Sequence, residues 1–370
     1  MKTTTNRKRT GCPLTAASLL VFSFLLLMAA PAMSSHAPGG MPAFGDLPQE
    51  DTSRHRITIG EVPREMGHVH FFDEETVLYV SGNCLYLTSL REGGTEREFR
   101  GHSDSIHDYK VLPDRRSIVT ASADGTLRLW DIPTGECVAV SEQLDTLSQP
   151  FWTMLNEIVL GPEGRTLMTS DMEGLKVWSA GDLKLVAKEE ADYFYMTTGL
   201  ISPDWKTVSA PVPESYDDCA VFEPGSGNIL LYLDNRYPLC YSPDGGRLLA
   251  ANMETGAMEI HDIDPRAPQG RFSGVWVSSS RIPLKDAVFS PDGRILASAQ
   301  AGGVICLWDT RDGTGIDELR WEGQAVDGIC FDAKGERILA FNTEDGVYCI
   351  WDIPSGEAST LPGSIPQGNN

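Results

Sequence analysis

Short apolar runs alternate with turn-forming residues along most of this chain, and the alternation repeats. One phrase recurs, an apolar run followed by a turn of the Pro-Asp-Gly kind: FFDEET (71–76), VLPDRR (111–116), VLGPEGR (159–165), LISPDWK (200–206), CYSPDGG (240–246), VFSPDGR (288–294) and CFDAKGE (330–336). In such turns proline fixes φ, aspartate hydrogen-bonds the backbone and glycine accepts a positive φ. Runs this short, β-rich and bounded by turns predict strands and not helices.

Each turn leads into a second apolar run, a second tight turn and a third run that often ends near Trp-Asp. The third runs of this kind are LRLWD (127–131), LKVWS (175–179), ICLWD (305–309) and YCIWD (348–352). Seven such units follow one another at intervals of roughly 40 to 49 residues. A lone four-stranded sheet cannot cover its own faces, whereas sheets arranged around an axis cover each other. The pattern therefore predicts an all-β fold, a seven-bladed β-propeller of four-stranded antiparallel sheets over residues 55–362.

Closing such a ring requires an outer strand for the last blade. The strand-like segment HRITIGE (55–61) precedes the first full unit and can supply it, and EASTLP (357–362) competes for the same place. The pattern alone leaves both alternatives open.

The most complete unit is GHSDSIHDYKVLPDRRSIVTASADGTLRLWDIPTGECV (101–138), with its opening Gly-His, its turn Asp-Gly and its closing Trp-Asp. These motifs resemble the WD40-repeat family. The resemblance implies a buried, hydrogen-bonded tetrad of His102, Ser122, Asp124 and Trp130, which locks a blade when every member is paired. Thr120 is the alternative hydroxyl, because it lies on the same strand face as Ser122.

The other units depart from this pattern. Leu87, Phe222 and His261 stand at or near the tryptophan position of their units. Gly302 replaces the aspartate in the sixth unit, and Gln324 stands where the histidine belongs in the seventh. We therefore expect complete tetrads to be rare, although the repeat itself persists.

The two ends of the chain differ from the repeats. A basic start, an apolar stretch from Leu14 to Ala30 and the small residues Ala30-Pro31-Ala32 predict a signal peptide over residues 1–32. An uncleaved membrane anchor is the alternative. Residues 33–54 and 363–370 are rich in Pro, Gly and polar residues, which predicts a flexible leader and a flexible tail. The protein is therefore expected to be secreted or periplasmic.

Composition narrows the chemistry. The formal net charge of −22 and the pI near 4.6 argue against nucleic acid as a partner, because phosphate binding needs clustered Lys and Arg. Seven cysteines follow the predicted signal, an odd number without a Cys-x-x-Cys motif. We expect mostly buried free thiols, with one disulfide between neighbouring blades as an open alternative.

Candidate catalytic and metal-binding groups are few. His68 and His70 would lie on one face of a regular strand, but no carboxylate or cysteine at ligand spacing accompanies them. Acidic pairs such as Asp217-Asp218 fall near turns, where solvated side chains are the ordinary case. The chain has no hydrolase, metalloprotease or phosphate-loop motif. We expect no cofactor, no metal and no catalytic residue.

The remaining candidates are aromatic. Trp152, Tyr195 and Tyr237 fall just before the first strands of three units, and Trp276 lies in a long link (267–283). In WD40 proteins the segments that enter the first strand form the face where partners dock, so these side chains are candidate anchors for a protein or peptide. Core packing is the alternative for each. The leading hypothesis is a non-enzymatic binding scaffold, and the alternative is a propeller enzyme or small-ligand sensor that uses the central channel.

Overall fold

A computed structural model describes residues 56–61, 66–90, 94–142, 157–161, 163–171, 174–190, 200–212, 215–263, 274–278, 284–300, 302–321 and 325–353. Every regular element among them is a β-strand. The predicted signal peptide, leader and tail lie outside these residues.

The strands form seven four-stranded antiparallel sheets, as the repeat pattern predicts. β1 (Arg56–Glu61) precedes the first blade. Blade 1 contains β2 (Met66–Phe71), β3 (Thr76–Ser81), β4 (Cys84–Ser89) and β5 (Thr95–Arg100). Blade 2 contains β6 (Ile106–Val111), β7 (Ser117–Ser122), β8 (Leu127–Asp131) and β9 (Cys137–Val140). Blade 3 contains β10 (Ile158–Leu160), β11 (Thr166–Asp171), β12 (Gly174–Ser179) and β13 (Leu185–Glu190).

The second half of the ring follows the same order. Blade 4 contains β14 (Leu200–Ile201), β15 (Val208–Val212), β16 (Ser215–Phe222) and β17 (Ile229–Leu233). Blade 5 contains β18 (Arg236–Tyr241), β19 (Arg247–Asn252), β20 (Met258–Asp262) and β21 (Gly274–Ser278). Blade 6 contains β22 (Leu284–Phe289), β23 (Ile295–Gln300), β24 (Val304–Asp309) and β25 (Gly315–Arg320). Blade 7 contains β26 (Gly328–Phe331), β27 (Arg337–Asn342) and β28 (Val347–Asp352) together with β1.

β1 closes the ring as the outer strand of blade 7. It pairs antiparallel with β28, with Ile57 opposite Ile350 and Ile59 opposite Tyr348. The segment HRITIGE therefore takes the place for which EASTLP competed in the sequence. The last blade is built from both ends of the propeller, so its sheet ties the first strand to the last.

The apolar cores lie between blades and not within them. One cluster joins Leu78 of blade 1 to Trp130 of blade 2, and corresponding clusters join each further pair of neighbours among the described residues. Another packs Tyr79 of blade 1 against Leu339 and Ile350 of blade 7. Because each sheet covers its neighbour, the ring buries apolar surface that a single blade would leave in water.

One turn shows why its glycine is required. Gly164, in the first turn of blade 3, has φ +64°. A Cβ at this position would lie 2.3 Å from Cγ of Pro113 in the corresponding turn of blade 2. Both the backbone conformation and the close approach of the neighbouring blade exclude a larger residue.

Candidate interaction surface

Blade 2 contains a complete buried tetrad. His102 Nδ1 lies 2.8 Å from Asp124 Oδ2, and His102 Nε2 lies 2.7 Å from Thr120 Oγ1. Trp130 Nε1 donates to the same Thr120 Oγ1 at 2.9 Å. Because an ionised carboxylate only accepts, His102 carries its proton on Nδ1 and its Nε2 accepts the threonine hydroxyl proton. Every polar side-chain atom of the tetrad then has a hydrogen-bond partner.

The hydroxyl at the centre of the tetrad belongs to Thr120 and not to Ser122. Ser122 lies two residues further along β7 and bonds elsewhere, since its Oγ donates to Asp104 O at 2.9 Å and accepts from Asp124 N at 3.1 Å. Thr120 lies two residues before the end of β7 and two residues after Ile118, which pairs with Trp130, and its hydroxyl accepts the Trp130 hydrogen bond. The assignment of Ser122 to the tetrad is corrected accordingly.

This carboxylate–imidazole–hydroxyl chain has the connectivity of a hydrolase triad, but its surroundings give it a different role. Thr120 is 0% exposed and His102 is 3% exposed. Burial lowers the pKa of His102, so the imidazole is neutral at physiological pH. Burial alone would raise the pKa of Asp124, but hydrogen bonds from Thr126 and His102 outweigh it and lower that pKa. The Thr120 hydroxyl is enclosed and already hydrogen-bonded to both His102 and Trp130, so a substrate cannot reach it. The tetrad therefore stabilises the blade.

Other blades retain only part of the arrangement. Trp178 Nε1 donates to Thr169 Oγ1 at 2.9 Å in blade 3, and Trp308 Nε1 donates to Ser298 Oγ at 2.9 Å in blade 6. Leu87, Phe222 and His261 occupy the tryptophan register in blades 1, 4 and 5, opposite Leu78, Val208 and Leu248.

Blade 5 replaces the tetrad with a buried ion pair. Arg236 Nε and Nη2 donate to the two carboxylate oxygens of Glu259 at 2.8 and 2.9 Å. His261 Nε2 lies 3.3 Å from Glu259 Oε2. Burial would raise the pKa of Glu259, but the nearby His261 and the Arg236 guanidinium outweigh it and lower the pKa to about 2. His261 therefore belongs to a structural network, as its position in the repeat indicates.

The first strands of neighbouring blades lie against each other around the axis, and carboxylates link them. Asp108 Oδ2 accepts a hydrogen bond from Ile158 N at 2.8 Å, and Asp286 Oδ2 accepts one from Ile329 N at 2.9 Å. In each case the other oxygen accepts from the following residue of its own strand. In both cases a carboxylate on the first strand of one blade is hydrogen-bonded to the first strand of the next blade.

Glu157 makes a third bridge, because its Oε2 accepts a hydrogen bond from Ile201 N at 3.3 Å. Burial raises the pKa of Glu157 to about 7, despite the opposing charge of Lys110. Burial likewise raises the pKa of Asp286 to about 6. These inner carboxylates hold the blades together, and each has part of its hydrogen-bonding capacity occupied by backbone N–H groups.

The two histidines of blade 1 do not form a regular pair on a strand face. β2 is bulged between Gly67 and His70, and His68 has φ +47°. Tyr109 donates its hydroxyl proton to Leu78 O at 2.8 Å, so His70 Nδ1 donates to the Tyr109 oxygen at 3.0 Å. Desolvation by the surrounding protein lowers the pKa of His70 to about 4. Within the described ranges, no three His, Cys, Asp or Glu side chains are grouped as a metal site.

All seven cysteines that follow the predicted signal are free thiols. Cys137 is exposed, Cys240 is half-buried and the others are buried. Burial raises the pKa of Cys219, Cys306 and Cys330 to about 12, which keeps these thiols protonated. The free thiols agree with the expectation from the sequence, and the alternative of an inter-blade disulfide is wrong for these residues.

One face of the ring is formed by the segments that enter the first strands and by the turns between second and third strands. We call it the upper face. Its described segments are 82–83, 101–105, 123–126, 233–235, 253–257, 302–303, 325–327 and 343–346. The remaining turns form the lower face. Hydrogen bonds join the two kinds of upper segment, from Ala123 N to Ser105 O at 2.9 Å and from Met253 N to Asn235 O at 3.1 Å.

The same linkage recurs in blade 7, where Thr343 N donates to Asp327 Oδ2 at 2.8 Å. It also crosses between blades, because Asn83 Nδ2 donates to His102 O at 2.8 Å. The upper segments are therefore held in defined positions. Their exposed acidic side chains are Asp104, Asp234, Glu254, Glu344 and Asp345.

The predicted aromatic anchors are only partly located. Tyr237 lies in β18, half-buried and opposite Ala251. Trp276 lies in β21 opposite Glu259, and its side chain is outside the described part of the chain. Trp152 and Tyr195 also fall outside it. The part of the chain that is described includes no helix long and apolar enough to cross a bilayer.

Comparison with known proteins agrees with this architecture. Residues 93–131 and 273–309 match the family described as WD domain, G-beta repeat. Each match starts near the outer strand of one blade and ends at the third strand of the next. This offset between repeat and blade is the reason that β1 completes blade 7.

The relatives share the repeat and only part of their length. The chain is 24% identical to autophagy-related protein 16 of Arabidopsis thaliana over 247 residues, which cover 64% of this chain and 45% of that protein. It is 31% identical to the guanine nucleotide-binding protein subunit beta of Zea mays over 134 residues, which cover 33% of this chain and 35% of that protein. The chain spans less than half the length of these two relatives.

A solved structure extends the likeness around the ring. The β-propeller domain of Cps50 (Swd1) from Myceliophteria thermophila superposes with a TM-score of 0.62, covering 81% of this chain and 100% of that one, at 13% identity. An identity this low supports the fold alone. The chain is thus an all-β, seven-bladed β-propeller that contains WD40 repeats.

Proposed function

We propose that this protein is a non-enzymatic, exported scaffold that binds a protein or peptide through its upper face. The observation that carries the proposal is the set of hydrogen bonds that fix the upper segments, such as Ala123 N to Ser105 O at 2.9 Å and Thr343 N to Asp327 Oδ2 at 2.8 Å. A surface that is already ordered loses little conformational entropy on binding, which favours affinity.

The comparisons support the same class of function. WD40 propellers generally act as binding platforms, and the Zea mays relative is named as a subunit, that is, as a member of an assembly. The exposed carboxylates of the upper face, among them Asp104 and Glu344, favour a partner surface that carries Lys or Arg.

Substitution of the aromatic anchors tests this function. Trp152→Ala or Trp276→Ala should weaken capture of the partner from the native exported fraction, while the melting temperature stays within about 2 °C of the wild type. Asp312→Ala, in an exposed turn of the lower face, serves as the control and should leave capture unchanged. If both tryptophan variants melt early and aggregate, these residues are core and the assignment of the anchors is wrong.

Export is a separate part of the proposal. It rests on the basic start, the apolar stretch and the Ala30-Pro31-Ala32 sequence. Amino-terminal sequencing of the protein from its native host should find a chain that begins at Met33, outside the cytoplasm. An intact amino terminus on a cytoplasmic protein would contradict it.

An enzyme or ligand sensor at the central channel remains the competing hypothesis. Glu157 directly precedes the inner strand β10, and burial raises its pKa to about 7, a value suited to acid–base chemistry at neutral pH. A hydrolase substrate screen with metal analysis distinguishes the two. Turnover that Glu157→Gln abolishes would favour the enzyme hypothesis and contradict the proposal of a non-enzymatic scaffold.

A further inference from the structure

The outer strand of blade 4 differs from most other outer strands in what it presents to solvent. β17, ILLYL, carries no charged residue. β5 (TEREFR), β13 (LVAKEE) and β25 (GIDELR) each carry at least two. Charged residues on an edge strand discourage pairing with other chains, so β17 lacks a protection that β5, β13 and β25 have. β9 (CVAV) and β21 (GVWVS) are also uncharged, and β9 is one residue shorter than β17.

The edge of β17 is also apolar and accessible. Among the described strands β17 pairs with β16 alone, as the last strand of its sheet. Ile229 is 51% exposed and Tyr232 is 47% exposed. An edge strand presents a row of backbone N–H and C=O groups that its own sheet does not use. Among the described strands, β17 therefore combines an edge position with exposed apolar side chains that an added strand could cover.

The surroundings of β17 are acidic. Exposed Glu223 precedes the strand and exposed Asp234 follows it. Asp218, in the adjoining strand, accepts a hydrogen bond from the Tyr232 hydroxyl at 2.7 Å. Glu189 of blade 3 reaches the turn before β17 and accepts a hydrogen bond from Gly225 N. The protein as a whole has a formal charge of −22, which opposes the approach of a second copy.

We propose that β17 is a docking edge for an extended segment of another protein in which apolar residues alternate with lysine or arginine. Such a segment would add a fifth strand to blade 4 through backbone hydrogen bonds. Its apolar side chains would cover Ile229 and Tyr232, and its cations would lie near Glu223, Asp218 and Asp234. This surface lies on the outer wall of the ring and is separate from the upper face.

A peptide of alternating lysine and valine tests the proposal directly, with the same peptide carrying glutamate for lysine as its control. The lysine peptide should bind the full-length protein in a fluorescence anisotropy titration at low salt, at least tenfold more tightly than the glutamate peptide. Hydrogen exchange should show new protection at β17 amides. Equal binding of both peptides, or protection confined to other strands, would overturn the proposal.

A charge on the edge should abolish the docking. Ile229→Lys should weaken the lysine peptide at least tenfold, whereas Val186→Lys, on the already charged β13, should change its affinity less than twofold. Val186 is 62% exposed, which makes it a matched control. If Ile229→Lys lowers the melting temperature, Ile229→Thr is the variant to use instead, because threonine keeps the β-branched side chain. It should weaken binding of the lysine peptide at least threefold.

Two further outcomes would overturn the proposal. If the Ile229 variants bind the lysine peptide as tightly as the wild type, β17 is not the docking site. A concentration-dependent dimer in sedimentation equilibrium that Ile229→Lys abolishes would make a second copy of the chain the occupant, and not a basic segment of another protein.

Discussion

Trp351 and Ala340 stand in blade 7 in the register that Trp130 and Thr120 occupy in blade 2. Trp351 lies opposite Ile338 across the sheet, and Ala340 is two residues further along β27, as Thr120 is from Ile118. Alanine offers no acceptor, and Trp351 Nε1 is buried without a hydrogen-bond partner among the described residues. An unsatisfied buried donor costs about 1–3 kcal/mol.

Ala340→Ser should therefore stabilise the protein. The serine hydroxyl would accept from Trp351 Nε1, as Ser298 accepts from Trp308 in blade 6, and the free energy of unfolding should rise by about 1 kcal/mol. Chemical denaturation measures the change. Ala297→Ser, which adds a hydroxyl to a fully buried position beside Ser298, should instead destabilise. Equal effects of the two substitutions would contradict the register argument.

The assignment of Thr120 to the tetrad predicts energetic coupling with Trp130. Thr120→Val leaves His102 Nε2 and Trp130 Nε1 unpaired and should cost about 2–3 kcal/mol. In a double-mutant cycle with Trp130→Phe, its effect should be non-additive by about 1 kcal/mol. Ser122→Ala should be additive with the same change. A cycle in which Ser122 couples to Trp130 and Thr120 does not would return the tetrad to Ser122.

Asp124→Ala should destabilise the blade by about 2 kcal/mol, because it removes the acceptor for His102 Nδ1 and for Ser103 N. Asp312→Ala, in the exposed turn of blade 6, should change stability by less than about 0.5 kcal/mol. Thermal and chemical unfolding compare the two. Similar losses in both variants would count against a structural role for the tetrad.

Glu157 predicts a pH dependence of stability. Its pKa in the folded protein is about 7, above its ordinary value of 4.5, so the folded state binds the proton more tightly than the unfolded state. The contribution of this group to stability should therefore rise as pH falls from about 7 to about 4.5 and be absent well above pH 7. Glu157→Gln keeps an acceptor for Ile201 N and carries no charge.

The informative quantity is the stability of Glu157→Gln minus that of the wild type. It should be positive by about 1–3 kcal/mol near pH 8.5 and should shrink toward zero near pH 5. His102 and Asp124, whose pKa values are lowered, lose stability toward acid, but that loss is common to both proteins and cancels. Exposed Glu163→Gln is the control, with no such trend expected. A constant difference across this range would refute the prediction.

The reactivity of each cysteine thiol should follow its exposure to solvent. Cys137 is the exposed cysteine among the seven that follow the predicted signal. A thiol reagent under native conditions should therefore modify Cys137 rapidly, half-buried Cys240 more slowly and the buried cysteines only after unfolding. Cys137→Ser should remove the fast phase. Rapid modification of Cys219 or Cys330, which are buried and have pKa values near 12, would mean that the blades open readily.

The periodicity of apolar runs and turns was sufficient to predict seven blades, because each blade repeats the same local chemistry. Periodicity could not decide between Thr120 and Ser122, because residues two apart on a strand share a face. The two differ only in their distance from the end of the strand. The bulge at His68 and the pairing of β1 with β28 depend on contacts between distant segments. The carboxylate bridges of Asp108 and Asp286 have a sequence signal, since both stand six residues before the turn aspartate of their units.

The docking face is the central claim, and site-specific photocrosslinking tests it most directly. A photoreactive side chain at Asp104 or Glu344 of the upper face, and at Asp312 of the lower face, would be introduced into the full chain in its native host. We expect a discrete crosslinked partner from the two upper positions and none from Asp312. Crosslinks from Asp312 alone, with none from Asp104 or Glu344, would contradict the account.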